Sequence, residues 1–302
     1  MEPVVLPAAA WRAREREHAD RVDRWVAPHL ERRARGERHP VHDFLFTYYS
    51  LRPAQLRRWH PGAGVVLLDG GERLAWRDHV AAPGGGVTLD VAAFAARRAA
   101  TVRHVRAVLA ATAARPAHLG CFGLHEWAMV YRSGDGVRHE DLPLRLGAAG
   151  TDAVVEGHRI RCSHHDAFRF FTDAARPRNA LQPRREDQVA LEQPGCLHAT
   201  MDLYKWAYKL GPAVPGELLL DCFALARDTR SLDMRAAPYD LGRLGVVPVR
   251  VETAAGKAEY VAEQRALAER GQALRRRLLA AVEAVAAVLP SPAADAAATT
   301  TL

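Results

Sequence analysis

QPGCLHATMDLYKWAYKL, residues 193–210, is the stretch whose reading decides the fold. Pro194 and Gly195 punctuate its start and Gly211-Pro212 follows its end, so the spacing predicts a helix of about four turns between them. At about 100° per residue, His198, Asp202, Lys205 and Lys209 fall on one face, with Met201 beside them. Leu203, Tyr204, Ala207 and Tyr208 cover the rest, and Trp206 stands at the polar edge. An imidazole, a carboxylate and two ammonium groups in one row of so apolar a helix either meet water or line a cleft. The cleft is the expectation.

Working outward, Trp11, His18, Val22, Trp25, Val26, His29 and Leu30 recur at helical spacing and predict a long amphipathic helix over Ala8–Ala34. Residues 257–289 predict a second long one, and residues 91–114 an Ala- and Arg-rich one. Shorter helices are expected after Pro40 (residues 44–50), around His125 (residues 119–132) and after Ser163, a suitable N-cap. Residues 217–227 read as a helical or strand-like apolar run. Strands are expected at 65–68 and 73–76, as a hairpin about Asp69-Gly70-Gly71, at 142–146 and 153–162, and at 246–253 along a sheet edge. Pro83-Gly84-Gly85-Gly86 reads as a surface loop, and residues 290–302 as a disordered tail. No internal repeat appears. The fold class implied is a predominantly α-helical α+β single domain, residues 1–289, with small hairpins or sheet around a polar cleft. The helices at Phe44, His125, His164 and His198 are expected to meet at that cleft.

Composition narrows the functional classes. Hydrophobic residues at 49% and charged residues at 25% are ordinary for a soluble globular protein. A net charge of +7 admits an anionic partner such as DNA. Cys121, Cys162, Cys196 and Cys222 are widely spaced with no Cys-x-x-Cys, which excludes zinc-ribbon and thioredoxin motifs. No apolar signal core or membrane-length run is present, so a cytoplasmic protein with reduced thiols and no membrane partner is expected.

Two chemistries fit the polar residues. In one, a divalent transition metal is held by some of His39, His125, His164, His165 and His198 with Asp43, Glu126, Asp166 or Asp202, and serves an enzyme acting on a small anionic substrate. No compact ligand string such as His-Glu-x-x-His supports it. In the other, no cofactor is needed: aromatic rings hold a nucleobase drawn out of the stack while a carboxylate supports the sugar cation or activates water. Trp127, Tyr131, Tyr204, Trp206 and Phe168 are candidate walls, His125, His164 and His198 candidate base contacts, and Asp202 and Glu126 candidate catalytic carboxylates. Each carboxylate also has a structural partner in reach, Lys205 for Asp202 and Arg132 for Glu126. Residues 159–185 hold seven arginines against two aspartates. Of these, Arg159, Arg161, Arg176, Arg178, Arg184 and Arg185 are candidate phosphate contacts.

Five segments carry a resemblance: HPVHDFLFTYYS (39–50), CFGLHEWAMVY (121–131), RCSHHDAFRFF (161–171), QPGCLHATMDLYKWAY (193–208) and LDMRAAPYD (232–240). They resemble a bacterial family labelled 3-methyladenine DNA glycosylase, over nearly the whole chain. The resemblance implies a base-excision N-glycosylase removing alkylated purine from DNA. The chain departs from other repair glycosylases in lacking a helix-hairpin-helix with a downstream catalytic Asp, a Cys-x-x-Cys zinc site and helical repeats.

Overall fold

A computed structural model describes residues 3–134 and 142–289. The expected tail at 290–302 lies outside the described residues. The elements run β1 (Val4–Leu6), α1 (Ala8–Ala34), α2 (Phe44–Tyr48), α3 (Pro53–Leu56), β2 (Val65–Leu67), β3 (His79–Ala81), β4 (Val87–Leu89), α4 (Val91–Arg97) and α5 (Ala99–Ala113). They continue with α6 (Leu124–Ala128), α7 (Gly147–Glu156), α8 (His165–Phe168), α9 (Gln188–Leu191), α10 (Leu197–Lys209), α11 (Gly216–Arg235) and α12 (Ala254–Ala286). The fold is predominantly helical α+β, as the periodicities imply.

Helix α10 is the hub, packing on α11 and α12 while α12 also packs on α5. Met201, Leu203, Tyr204 and Ala207 are buried, and so is Asp202 on the polar face. A helix covered on nearly every side must place its polar groups against partners of its own, because water does not reach them. Helix α12 closes over the loop before α10: Gln264 Nε2 donates to Gly195 O at 2.7 Å, and Gly271 lies where a Cβ would stand 3.3 Å from Thr200. One continuous apolar core joins α1, α2, α5, α6, α7, α10, α11 and α12.

The four-stranded sheet has the order β1-β2-β4-β3, with β1 parallel to β2 and the other pairs antiparallel. It covers a separate small core in which Trp11 and Trp59 stack with centroids 6.5 Å apart. The sheet does not surround the polar site; helices and their connecting loops do.

Several expected strands are corrected. Residues 71–75 form a 3-10 helix rather than the second strand of a hairpin. The cause is Arg73, which is buried over the Trp76 ring, donates to Trp59 O and pairs with Glu15. The hairpin is β3–β4, and residues 83–86 form its turn, with left-handed φ angles at three consecutive glycines that only glycine adopts without strain. Residues 153–156 end helix α7, whose Thr151, Val154 and Val155 are buried at helical spacing. Leu144 makes a single bridge to Tyr239, and residues 246–253 form no strand although Val249 and Val251 are fully buried. The helix around His125 is only α6, because Phe122 and Gly123 take left-handed φ angles just before it. Residues 91–114 divide into α4 and α5 at Arg98.

Candidate functional site

Five separate segments bring their polar side chains together in the interior. Helix α6 supplies His125 and Glu126, the entry to α8 supplies His164, the residue after α9 is Glu192, α10 supplies His198 and Asp202, and α11 supplies Arg230 and Asp233. All are buried except His198, which is half-buried. The imidazoles lie in a row, with His198 4.6 Å from His125 and 5.3 Å from His164 between ring centres.

Around His164 the arrangement is unusual. Its Nε2 lies 3.3 Å from Glu192 Oε1 and 3.4 Å from Asp202 Oδ2. Those are hydrogen-bond distances, yet the ring is out of line with both oxygens and neither of its nitrogens has a hydrogen-bond partner. Asp202 is otherwise well held: Tyr49 donates to its Oδ1 at 3.0 Å and Lys205 pairs with its Oδ2. Lys205 also reaches Asp166 at 3.4 Å. Gln188 donates to Glu192. Burial alone would push the Asp202 carboxyl up, but the Lys205 and His164 charges override it and hold it well below the usual range. Burial likewise opposes charge on His164, and the two carboxylates reverse that, lifting its pKa to about 9. With His164 and Lys205 cationic against Asp202 and Glu192, this half of the cluster balances its own charge.

The other half is built around Asp233. His125 Nε2 lies 2.8 Å from Asp233 Oδ1, and Arg230 Nη1 donates to Asp233 Oδ2 at 2.7 Å and to Glu126 Oε1 at 3.0 Å. The second Glu126 oxygen is buried without a partner. Burial would lower the His125 pKa, but Asp233 raises it. His198 goes the other way: burial and the neighbouring His125 push it well below its usual value, so it is neutral.

Two hollows flank the row. A cavity of about 20 Å³, room for a single water, is bordered by His125, His198, Cys121, Cys162, Cys196 and Arg161 among others. On the other side a pocket of about 190 Å³ reaches His164 from the surface and is lined by Arg185, Lys205, Lys209, His104, His165 and Trp206 among others. Asp166 also lines it and pairs with Lys205, which leaves Arg185 and Lys209 as the cations that suit an anion.

The structure brings some of the sequence candidates together and separates others. Asp202, Glu126, His125, His164 and His198 do converge. Lys205 does pair with Asp202, whereas Glu126 pairs with Arg230 and Arg132 pairs with Glu156. Trp127, Tyr131, Tyr204 and Phe168 are core residues rather than walls of a base pocket. Trp127 donates to Ala236 O, Tyr131 to Glu156, and Tyr204 packs edge-on against Tyr49. Trp206 alone of the five borders the 190 Å³ pocket.

The arginines do not form one rim. Arg159 is exposed, Arg161 borders the small cavity, Arg176 pairs with Asp173, Arg178 donates to Tyr131, Arg184 pairs with Glu186, and Arg185 lines the pocket. His39 and Asp43 belong elsewhere: Asp43 is locked to His29 at 3.0 Å and to Arg32. His165 contacts Pro183 O at 3.1 Å. All four cysteines are free thiols.

Glu192, Asp233 and Tyr49 join the cluster without being among the sequence candidates. Glu192 directly precedes the 193–210 stretch, and Asp233 stands three residues after Arg230, a pairing distance on a helix. Those were the signals at hand.

Compared with protein-family models, curated proteins and solved structures, the chain matches none. Among the described residues no helix is long and apolar enough to cross a membrane.

Proposed function

We propose that the protein is a metal-dependent enzyme acting on a small anionic substrate, with His164, Glu192 and Asp202 as metal ligands. One observation carries this reading: three buried donor atoms stand around a common point without bonding one another. In a tetrahedral site with bonds of about 2.0–2.1 Å, neighbouring donors lie about 3.3–3.4 Å apart. The His164 separations of 3.3 and 3.4 Å match that edge. Imidazole with two carboxylates suits zinc, manganese or iron in the divalent state.

The remaining residues have clear parts in such a site. Tyr49 and Lys205 fix and neutralise Asp202, and Gln188 orients Glu192, as outer-shell partners do. Arg185 and Lys209 draw the anion into the pocket, with Trp206 as a flat wall beside the two lysine ammonium groups. A bound divalent ion supplies Lewis acidity and lowers the pKa of a bound water. Metal counting on protein loaded with manganese and desalted tests the reading. At least one ion per chain is expected, reduced in His164→Gln; less than a tenth of an ion in the wild type overturns it. Inorganic phosphate should change Trp206 fluorescence, and Lys209→Glu should weaken that response about tenfold.

The sequence resemblance supports a second reading, excision of alkylated purine from DNA with Asp202 or Glu126 behind the sugar cation. Its support ends there, because both carboxylates are ion-paired and neither borders the cavity or the pocket. Release of free base from methylated DNA, lost in Asp202→Asn or Glu126→Gln, would restore it.

A further inference from the structure

We infer that the protein holds a second divalent transition-metal ion, between His125, His198 and Asp233, beside the one held by His164, Glu192 and Asp202. The inference rests on the metal reading of the neighbouring cluster and extends it to a two-ion centre. One donor atom from each of the three side chains lies within 4.8 Å of the others. Two imidazoles and one carboxylate form the set that leaves positions open on iron(II), and it suits zinc and manganese as well.

Three features set this group apart from an ordinary buried ion pair. First, neither ring nitrogen of His198 forms a hydrogen bond among the described residues, so both stay available to a ligand. Second, Arg230 ties Asp233 Oδ2 to Glu126 Oε1, so Glu126 and Arg230 hold the Asp233 carboxylate in place beside the two rings. Third, the cavity of about 20 Å³ opens onto His125 and His198, so a bound ion would have room for one water.

The two positions are coupled by α10. His198 and Asp202 are one helical turn apart, so this helix gives one ligand to each ion and holds them as neighbours. The stacked His164 and His198 rings lie along the boundary. His164 borders the anion pocket, while His125 and His198 border the small cavity.

Metal stoichiometry tests the inference. The full chain is stripped with a chelator, reloaded with manganese(II), desalted and counted by mass spectrometry of the metal. The expected result is two ions per wild-type chain, one in His198→Gln and one in Glu192→Gln. His198→Gln is the chosen variant because it removes no hydrogen bond, and circular dichroism checks that it folds. Paramagnetic resonance should show two interacting manganese ions in the wild type and an isolated one in either variant. One ion in the wild type that His198→Gln retains and Glu192→Gln loses would overturn the second position and leave the first standing. One ion that His198→Gln loses and Glu192→Gln retains would support this position and overturn the first. No ion in the wild type would overturn both.

Discussion

The Tyr49 hydroxyl donates to Asp202 Oδ1 at 3.0 Å across 153 positions of chain, tying the segment after α2 to the centre of α10. The ring itself packs edge-on against Tyr204 with centroids 5.4 Å apart. Tyr49→Phe therefore keeps the packing and removes the donor. Metal affinity should fall about 10- to 100-fold, as when other outer-shell partners are lost. Competition against a chromogenic chelator reads this directly. An affinity within twofold of wild type would remove Tyr49 from the site.

Lys205 pairs with both Asp202 and Asp166. Lys205→Met leaves a buried carboxylate short of a counter-charge, at a cost of about 3–5 kcal/mol. A bound cation takes over part of that role. Thermal unfolding with and without manganese should show the variant gaining more from metal than the wild type does. Equal gains would mean that Asp202 is not a ligand.

Asp43 gives a pH signature of its own. Burial would raise its pKa, but Arg32, His29 and the His39 N–H override that and hold it at about 2. The folded pKa is depressed, so the stabilisation is fully present above the unfolded value near 4 and is lost as pH falls from there through about 2. It amounts to about 2 kcal/mol. Asp43→Asn should flatten this part of the stability curve measured by urea unfolding. A variant curve with the wild-type slope between pH 4 and 2 would contradict the assignment.

Gly216 opens α11 where a Cβ would stand 2.7 Å from Trp59 Cδ1 and 2.9 Å from His18 Nδ1. Both neighbours are buried, and Trp59 is held further by its hydrogen bond to Glu217 at 3.0 Å. Gly216→Ala should destabilise the protein by about 1–3 kcal/mol through overpacking. Denaturant unfolding measures it. An unchanged midpoint would show that the sheet side of the molecule shifts freely.

The helices were legible because each carries its own period: Trp11, Val22 and Val26 mark α1, and Met201, Tyr204 and Ala207 mark α10. The strands were less so, because three-residue strands such as Val65–Leu67 are too short to show an alternation. Residues 153–156 misled because valines favour strands, whereas here Val154 and Val155 complete a helical stripe. At the site, His198 and Asp202 announced themselves by sharing one helix face. Glu192 and Asp233 did not, since donors spread over five segments form no string and their meeting depends on how α10 and α11 pack. Composition counts charges without saying which have partners: Arg176 and Arg184 pair with Asp173 and Glu186, whereas Arg185 lines the pocket.

Helix α12, which clamps the Gly195 loop through Gln264, is made after every donor in the centre. During synthesis, which proceeds from the N-terminus, Asp233 leaves the ribosome before that clamp exists. The nascent protein thus passes through an interval in which the central side chains are all present and the Gly195 loop is not yet held by Gln264.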